Sequence, residues 1–404
     1  SKAQEEAARK ELARKSEIVR RGSEKRVKRS LAPFNFGKEP DSFFKKIFIV
    51  KEAEKYPYTQ SLIKRLPQIP CEIVSDKKGL IEQIRLEPDP IGAGKRFLFL
   101  DVDRGRAFKP FPTPEGTVSC QFYSLHLLEG CDLECSYCIL QTYLTNPLLT
   151  VYVNVEEILA GLESALKQEP GKKFRIGTGQ LADSLSLDSV TAHTEILVPF
   201  FAKQTNAVLE LKTKSANISR LEKLDPEGRT LVSWSMNTKR IQKEEEHKCA
   251  SLEERIEAAR QVLDWGYRVG FHFDPLIDYE GALQEYEEVI KMIFRKIPAG
   301  KIAWMSFGSL RFMPELKSIM EKRFPKSPLA QAEWVRGLDG KMRFFKPRRI
   351  ELYSHLVHFL QKLSPQTPLY LCMETEEVWK KVFDEGPDSK RIASHLNGSV
   401  FARK

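Results

Sequence analysis

The sequence predicts an α/β fold built on a mostly parallel sheet, and three observations point there. Short apolar, β-branched runs alternate with longer stretches of helical periodicity from about residue 118 to residue 372. Successive strand-like runs are separated by enough chain for a crossover helix, the connection that parallel neighbours require. The 404 residues are 41% hydrophobic and 30% charged, a globular balance with room for two or three domains. Repeated βα units of this kind put helices outside a sheet that is open or closed into a barrel.

Taken in order, residues 1–40 read as a basic tail, helical or disordered. Residues 1–30 carry eleven Lys and Arg against five Glu and so supply +6 of the net +10. Such a segment suits a polyanionic partner, and a solvated charged helix is the plain alternative. Residues 41–115 read as a small α/β N-terminal domain. Its strands are Ile47–Val50, Cys71–Val74 and Phe97–Leu100, with a helix around Thr59–Arg65 and a Pro-rich exit over Lys109–Pro114. Residues 116–375 form the main α/β unit. Val118–Tyr123, Lys173–Gly177, Val208–Lys212, Thr230–Met236, Val269–Phe273, Ile302–Phe307 and Pro368–Cys372 are its strands. Val155–Leu166, Thr191–Gln204, Leu252–Trp265, Leu283–Phe294, Pro314–Arg323 and Arg349–Leu363 are its helices. Residues 376–404 are a C-terminal extension.

Directly after the first strand of the main unit come Cys131, Cys135 and Cys138, spaced C-x3-C-x2-C. A full [4Fe–4S] site supplies four cysteines. Three leave one metal position open, and an open position implies chemistry, as it does at catalytic zinc. Zinc itself would need a distant His or Cys here, because no second C-x2-C pair exists. An odd count of seven Cys, with no secretory stretch ahead of them, argues against disulfides and for a cytoplasmic setting. No apolar run approaches the roughly 20 residues that span a bilayer, so no membrane partner is expected.

This spacing, with Tyr137 just before the third cysteine, resembles the signature of radical SAM enzymes. The resemblance implies a [4Fe–4S] cluster on Cys131, Cys135 and Cys138 whose free iron chelates S-adenosyl-L-methionine (SAM). It implies one-electron cleavage of the sulfonium to methionine and a 5′-deoxyadenosyl radical, with an electron donor such as flavodoxin or ferredoxin. The fold it implies is a partial (β/α)6 barrel with chemistry at the carboxyl ends of the strands. Further stretches are similar to the spore photoproduct lyase-like family: Val151–Leu159, Thr213-Lys214, Ser233–Asn237, Gly266-Tyr267 through Pro275-Leu276, and Phe324-Pro325-Lys326. Together they cover roughly residues 45–372, and they imply a lyase that repairs a thymine photoproduct in DNA.

On that resemblance Lys214 meets the SAM carboxylate, Ser235 hydrogen-bonds SAM, and Tyr137 lies beside the cluster. Gly177, Thr178 and Gly179 end a strand where the backbone must approach a cofactor closely, a place suited to Gly; Asp183 and Ser184 follow in the same loop. The ordinary alternatives are a surface lysine, a loop-capping serine and a bare turn. Two departures stand out. Gln180 occupies the place where the family has a hydrogen-donating Cys, and Ile139 follows the third cluster Cys where Tyr is frequent. The radical generator is intact while the terminating relay is altered. Three readings follow: 5′-deoxyadenosine itself returns the hydrogen; another thiol serves, Cys372 at the last strand's end first and Cys120 second; or the substrate differs altogether. A small buried strand residue is the alternative for Cys372.

Residues 334–346 read as a hairpin turning at Leu338-Asp339-Gly340, since Asp-Gly favours tight turns. Arg336, Lys341, Arg343 and Lys346 interleave with Trp334, Phe344 and Phe345, a pattern suited to phosphates and unstacked bases or, more plainly, to an amphipathic hairpin. The resemblance implies a lesion-probing hairpin in this region. The expected partner is therefore nucleic acid, DNA first. The competing functions are a radical SAM enzyme on RNA, a peptide or a metabolite, which Gln180 favours, and a non-catalytic iron–sulfur or zinc protein that binds nucleic acid.

Overall fold

The computed structural model describes residues 43–384 and 386–401. The basic tail expected over residues 1–40 lies outside the described residues. Eight strands form the larger sheet: β1 (Phe108–Pro110), β2 (Phe122–Leu125), β3 (Phe174–Gly177), β4 (Ala207–Thr213), β5 (Thr230–Ser235), β6 (Arg268–Leu276), β7 (Ile302–Ser309) and β8 (Leu369–Leu371). They lie side by side in sequence order. Strands β2 to β8 run parallel, and β1 is an antiparallel edge on β2. The seven strands expected for the main unit are all present and parallel, one more than the six of a (β/α)6 barrel, and Phe108–Pro110 adds an antiparallel edge. Helices Val155–Gln168, His193–Ala202, Leu252–Asp264, Ala282–Lys296 and Lys346–Leu363 lie in the connections between the parallel strands.

The inner face of this sheet is polar, and the sequence of β4 says why. Leu209 and Leu211 join the main hydrophobic core, while Glu210 and Lys212 line an internal chamber. A parallel strand buried on both faces normally reads as an unbroken apolar run. Alternation with charged residues therefore marks a lumen. The two sheet edges are drawn together by loops: the Val118 amide donates to the Glu374 carbonyl at 3.0 Å, and Thr117 bridges Thr375. This closure displaces the strand expected over Val118–Tyr123, which forms instead at Phe122–Leu125.

A second sheet orders Cys71–Val74, Lys46–Val50, Phe97–Asp101, Leu149–Tyr152 and Leu128–Glu129. Its last two strands bracket the loop that holds Cys131, Cys135 and Cys138, so residues on both sides of that loop belong to the N-terminal sheet. At the opposite end of the larger sheet, helix Ser389–Phe401 buries Leu396 and Val400 against Val208, Leu231 and Trp304. Arg175, inside the sheet, donates to the Asn397 amide oxygen at 3.0 Å. No helix among the described residues is long and apolar enough to cross a membrane.

Candidate functional site

The carboxyl ends of the strands open on one cavity of about 430 Å³. Residues distant in sequence meet there because each strand ends at the same rim. The loop after β2 brings Cys131, Cys135, Tyr137 and Cys138, and the loop after β3 brings Gly179, Gln180 and Asp183. Strand β4 brings Lys212 and Thr213 with Lys214 beyond it, β5 brings Ser235 and β6 brings Asp274; Arg311 and Cys372 follow β7 and β8. Below it, a smaller chamber of about 110 Å³ shares Gly179, Gln180, Lys212 and Cys372 with the upper cavity and reaches Gly177, Glu210 and His272.

The cysteine loop is held rigidly from behind. Glu134-Cys135 pairs as an antiparallel ladder with Glu246-His247. The Ser136 hydroxyl donates to the Glu245 carboxylate, and the Tyr137 hydroxyl donates to Glu246. Glu246 in turn meets the Arg255 guanidinium at 2.6 Å, with both side chains almost wholly enclosed. Arg255 sits in the first turns of Leu252–Asp264, a helix fixed by a Ser251/Glu254 capping box. On the other flank Glu134 takes Arg323 at 2.9 Å and Lys95 at 3.4 Å. Burial pushes the Glu134 carboxyl up, but Lys95, Arg323 and Lys248 outweigh it and hold it at about 2.

The donors fit an iron–sulfur cluster. Three soft thiols line one wall of one cavity, with a buried cation near each part of the set: Lys95 feels Cys131 and Cys138, and Lys214 feels Cys135. Among the described residues no three His, Cys, Asp or Glu converge closely enough to hold a single metal ion. Cysteine thiolates are the ligands that iron–sulfur clusters take. Cys249 comes within 3.5 Å of Cys135 and holds that thiol below its ordinary pKa.

Lys214 keeps its charge. Burial lowers its pKa, but Cys135, Glu246 and Cys249 outweigh burial and raise it; its ammonium also stands 5.7 Å from the Tyr137 ring centroid. Asp183 organises this rim by accepting from Leu185 N, Ser186 N, the Thr213 hydroxyl and Lys214 N at 2.6–3.0 Å. Ser235 is buried on the cavity wall. Thr178 and Ser184 lie elsewhere: their hydroxyls bond each other at 2.8 Å and they line a separate small cavity beside Asp188 and His193. Gly177 lines only the lower chamber. At Gly179 an added Cβ would stand 2.9 Å from Lys212 Cβ, so this position needs glycine for close strand approach.

Cys372 faces both chambers. Burial pushes its thiol up to about 12, and Arg311 stands 3.5 Å from its sulfur while pairing with Asp274 at 3.2 Å. Cys120 lines the lower chamber only, with its thiol pushed up by burial to about 11. In the hairpin, Val335–Arg336 and Met342–Arg343 join Arg311–Phe312 in a three-stranded sheet. Trp334 and Phe344 turn inward onto one another, Trp334 also meeting Phe312, and leave Phe345 exposed. Arg343 grips Asp339 with two hydrogen bonds at 2.7 and 2.8 Å, and Lys346 pairs with Glu377 at 2.8 Å. Lys341 reaches the cavity rim, and Arg336 is exposed.

Sequence reasoning missed Lys95, Glu134, Glu245, Glu246, Cys249, Arg255 and the Asp274–Arg311 pair. Only the capping box before Arg255 left a local signal; the others are isolated charges whose partners lie up to 189 residues away.

The family profile described as spore photoproduct lyase matches residues 44–368. A spore photoproduct lyase of Clostridium acetobutylicum is 27% identical over 310 residues, covering 76% of this chain and 88% of the relative. One of a Geobacillus species is 26% identical over 336 residues, covering 80% and 96%. Among solved structures, a spore photoproduct lyase complexed with dinucleoside spore photoproduct shares the fold with a TM-score of 0.71 at 23% identity, covering 81% of this chain and 99% of the other. A variant with bound AdoMet and the same dinucleoside gives 0.70 at 23% identity, covering 81% and 98%. With the profile spanning most of the chain, this protein belongs to the spore photoproduct lyase family of radical SAM lyases.

Proposed function

We propose that this protein repairs a thymine photoproduct in DNA by radical SAM chemistry. The observation that carries the reading is the single cavity joining Cys131, Cys135 and Cys138 to Lys214, Ser235 and Cys372. Cys131, Cys135 and Cys138 would hold the [4Fe–4S] cluster. When bound, cluster and SAM together supply a 5′-deoxyadenosyl radical that takes a hydrogen atom from the substrate. Lys214 brings a positive charge to the SAM carboxylate in surroundings less polar than water, where the attraction is strengthened. Ser235 offers a hydroxyl on the same wall. The ladder behind Cys135, with Glu245 and Glu246 fixing Ser136 and Tyr137, keeps the loop in place during electron transfer. Flavodoxin or ferredoxin is the class of donor such a site takes.

With Gln180 in the donor position, Cys372 returns the hydrogen atom. Its S–H bond breaks as a C–H bond forms on the product radical, and the thiyl radical left behind takes one electron from the same flavodoxin or ferredoxin class of donor and one proton from water to restore the S–H before the next turnover. Burial keeps the sulfur protonated at neutral pH, the form that can give a hydrogen atom.

Anaerobic protein, reconstituted with iron and sulfide and supplied with dithionite, SAM and an oligonucleotide carrying the spore photoproduct, should release parent thymines. SAM cleavage without that conversion would reject DNA repair. Gln180 also supports a second reading, the same radical chemistry on RNA, a peptide or a metabolite. Deuterium passing from a labelled candidate into 5′-deoxyadenosine would identify that substrate.

A further inference from the structure

Gln180 is more than the loss of a thiol. Its side-chain oxygen is buried without any hydrogen-bond partner, and the residue lines both chambers. A buried polar atom left unpaired is costly, and a ligand that entered the chamber could supply the missing partner. Lys212, on the next strand, lines the same two chambers; among the described residues its ammonium makes no hydrogen bond or close ion pair, although Asp274 and Glu210 feel its charge. The two are neighbours by construction: the close approach at Gly179 sets that backbone against Lys212. Cys372 shares both chambers with them.

A carboxamide offers one acceptor and one donor side by side, whichever way it is turned, and an ammonium offers donors only. The ligand that satisfies both presents acceptor, donor and acceptor along one edge. The imide of a thymine or dihydrothymine ring does so, with N3–H between two carbonyls.

We propose that Gln180 and Lys212 form a nucleobase subsite that reads the imide edge of the substrate and holds it against Cys372. This rests on the repair reading above and deepens it, since it names which part of the lesion the barrel grips. The amide accepts from N3–H and donates to one carbonyl; Lys212 donates to the other. The substitution that removed one hydrogen donor thereby supplies recognition, and a thiol on a different strand can take over donation.

The test is anaerobic binding of the dinucleotide spore photoproduct and of its N3-methylated form to reconstituted protein, its Gln180→Leu and Gln180→Asn variants, and Lys212→Met. Thymidine, N3-methylthymidine and deoxyadenosine serve as simpler probes. N3-methylation should weaken binding to the parent protein by about tenfold, the scale of one hydrogen bond. It should matter little in Gln180→Leu, and Gln180→Asn, which keeps the amide, reports whether a folded neighbour retains part of the discrimination. Lys212→Met should weaken both forms alike. Equal N3-methyl penalties in the parent and Gln180→Leu would overturn the subsite while repair stands. So would preference for deoxyadenosine, or a loss in Gln180→Leu confined to SAM binding. If the photoproduct fails to bind but thymidine is still discriminated through Gln180, the repair reading falls and the subsite stands. If neither thymine probe binds, both fall.

Discussion

At the scale of single residues, burial decides what each group can do. Cys372 is held as a thiol by an enclosed site that raises its pKa to about 12. Replacing it with Ala removes the S–H without adding charge. Photoproduct turnover should then fall by about tenfold or more, a barrier rise of roughly 1.4 kcal/mol at least, while 5′-deoxyadenosine still forms. Product analysis by mass spectrometry should show the unquenched radical captured elsewhere. His193 shows the opposite consequence of burial. Its ring stacks on Tyr58, its Nε2 has no partner, and burial pushes its pKa down to about 3. The unfolded chain protonates this group near its ordinary value of about 6.5, whereas the folded protein does not. Stability therefore falls as pH drops from about 6.5 towards 3, by up to roughly 1.4 kcal/mol per unit from this group. His193→Phe keeps the stacked ring and removes the proton site. Its melting temperature should depend less steeply on pH between 6 and 4 than that of the parent.

At the scale of elements, the hairpin separates charges that are available from charges already used. Arg343 and Lys346 are tied to Asp339 and Glu377, while Arg336 and Lys341 have no ion pair among the described residues. Phosphate neutralisation shows up as a salt dependence of about 0.9 per contact on duplex DNA. Arg336→Ala and Lys341→Ala should each reduce the log–log salt slope of DNA binding by about that much. Arg343→Ala and Lys346→Ala should change it far less. Interleaved basic and aromatic residues were legible in this segment, but their division of labour was not. A local pattern contains neither the acidic partner at residue 377 nor the Phe312 ring that draws Trp334 inward.

At the scale of the whole molecule, the sheet is sealed at the end opposite the cavity by the C-terminal helix. Leu396 is fully buried there against the feet of β4, β5 and β7. Leu396→Ala should cost about 2–5 kcal/mol, the usual range for such a deletion in a core. Thermal denaturation would measure it, and a change under about 0.5 kcal/mol would mean the helix is not a working part of the core. The two sheet edges are linked by the Val118–Glu374 hydrogen bond and the Thr117–Thr375 bridge, and Val118 lines the lower chamber. The C-terminal extension is packed, through Leu396 and Val400, onto the larger sheet.

By itself the sequence determined the alternation of strands and helices, the parallel sheet and the three-cysteine loop, because periodicity and ligand spacing are local properties of the chain. Only the tertiary structure decided that Cys372 and Lys212 share Gln180's chamber, that Thr178 and Ser184 face away, and that three buried carboxylates support the cysteine loop. Those facts depend on which distant strands end at the same rim, and on charges that reach a low-dielectric interior only when their partners arrive with them.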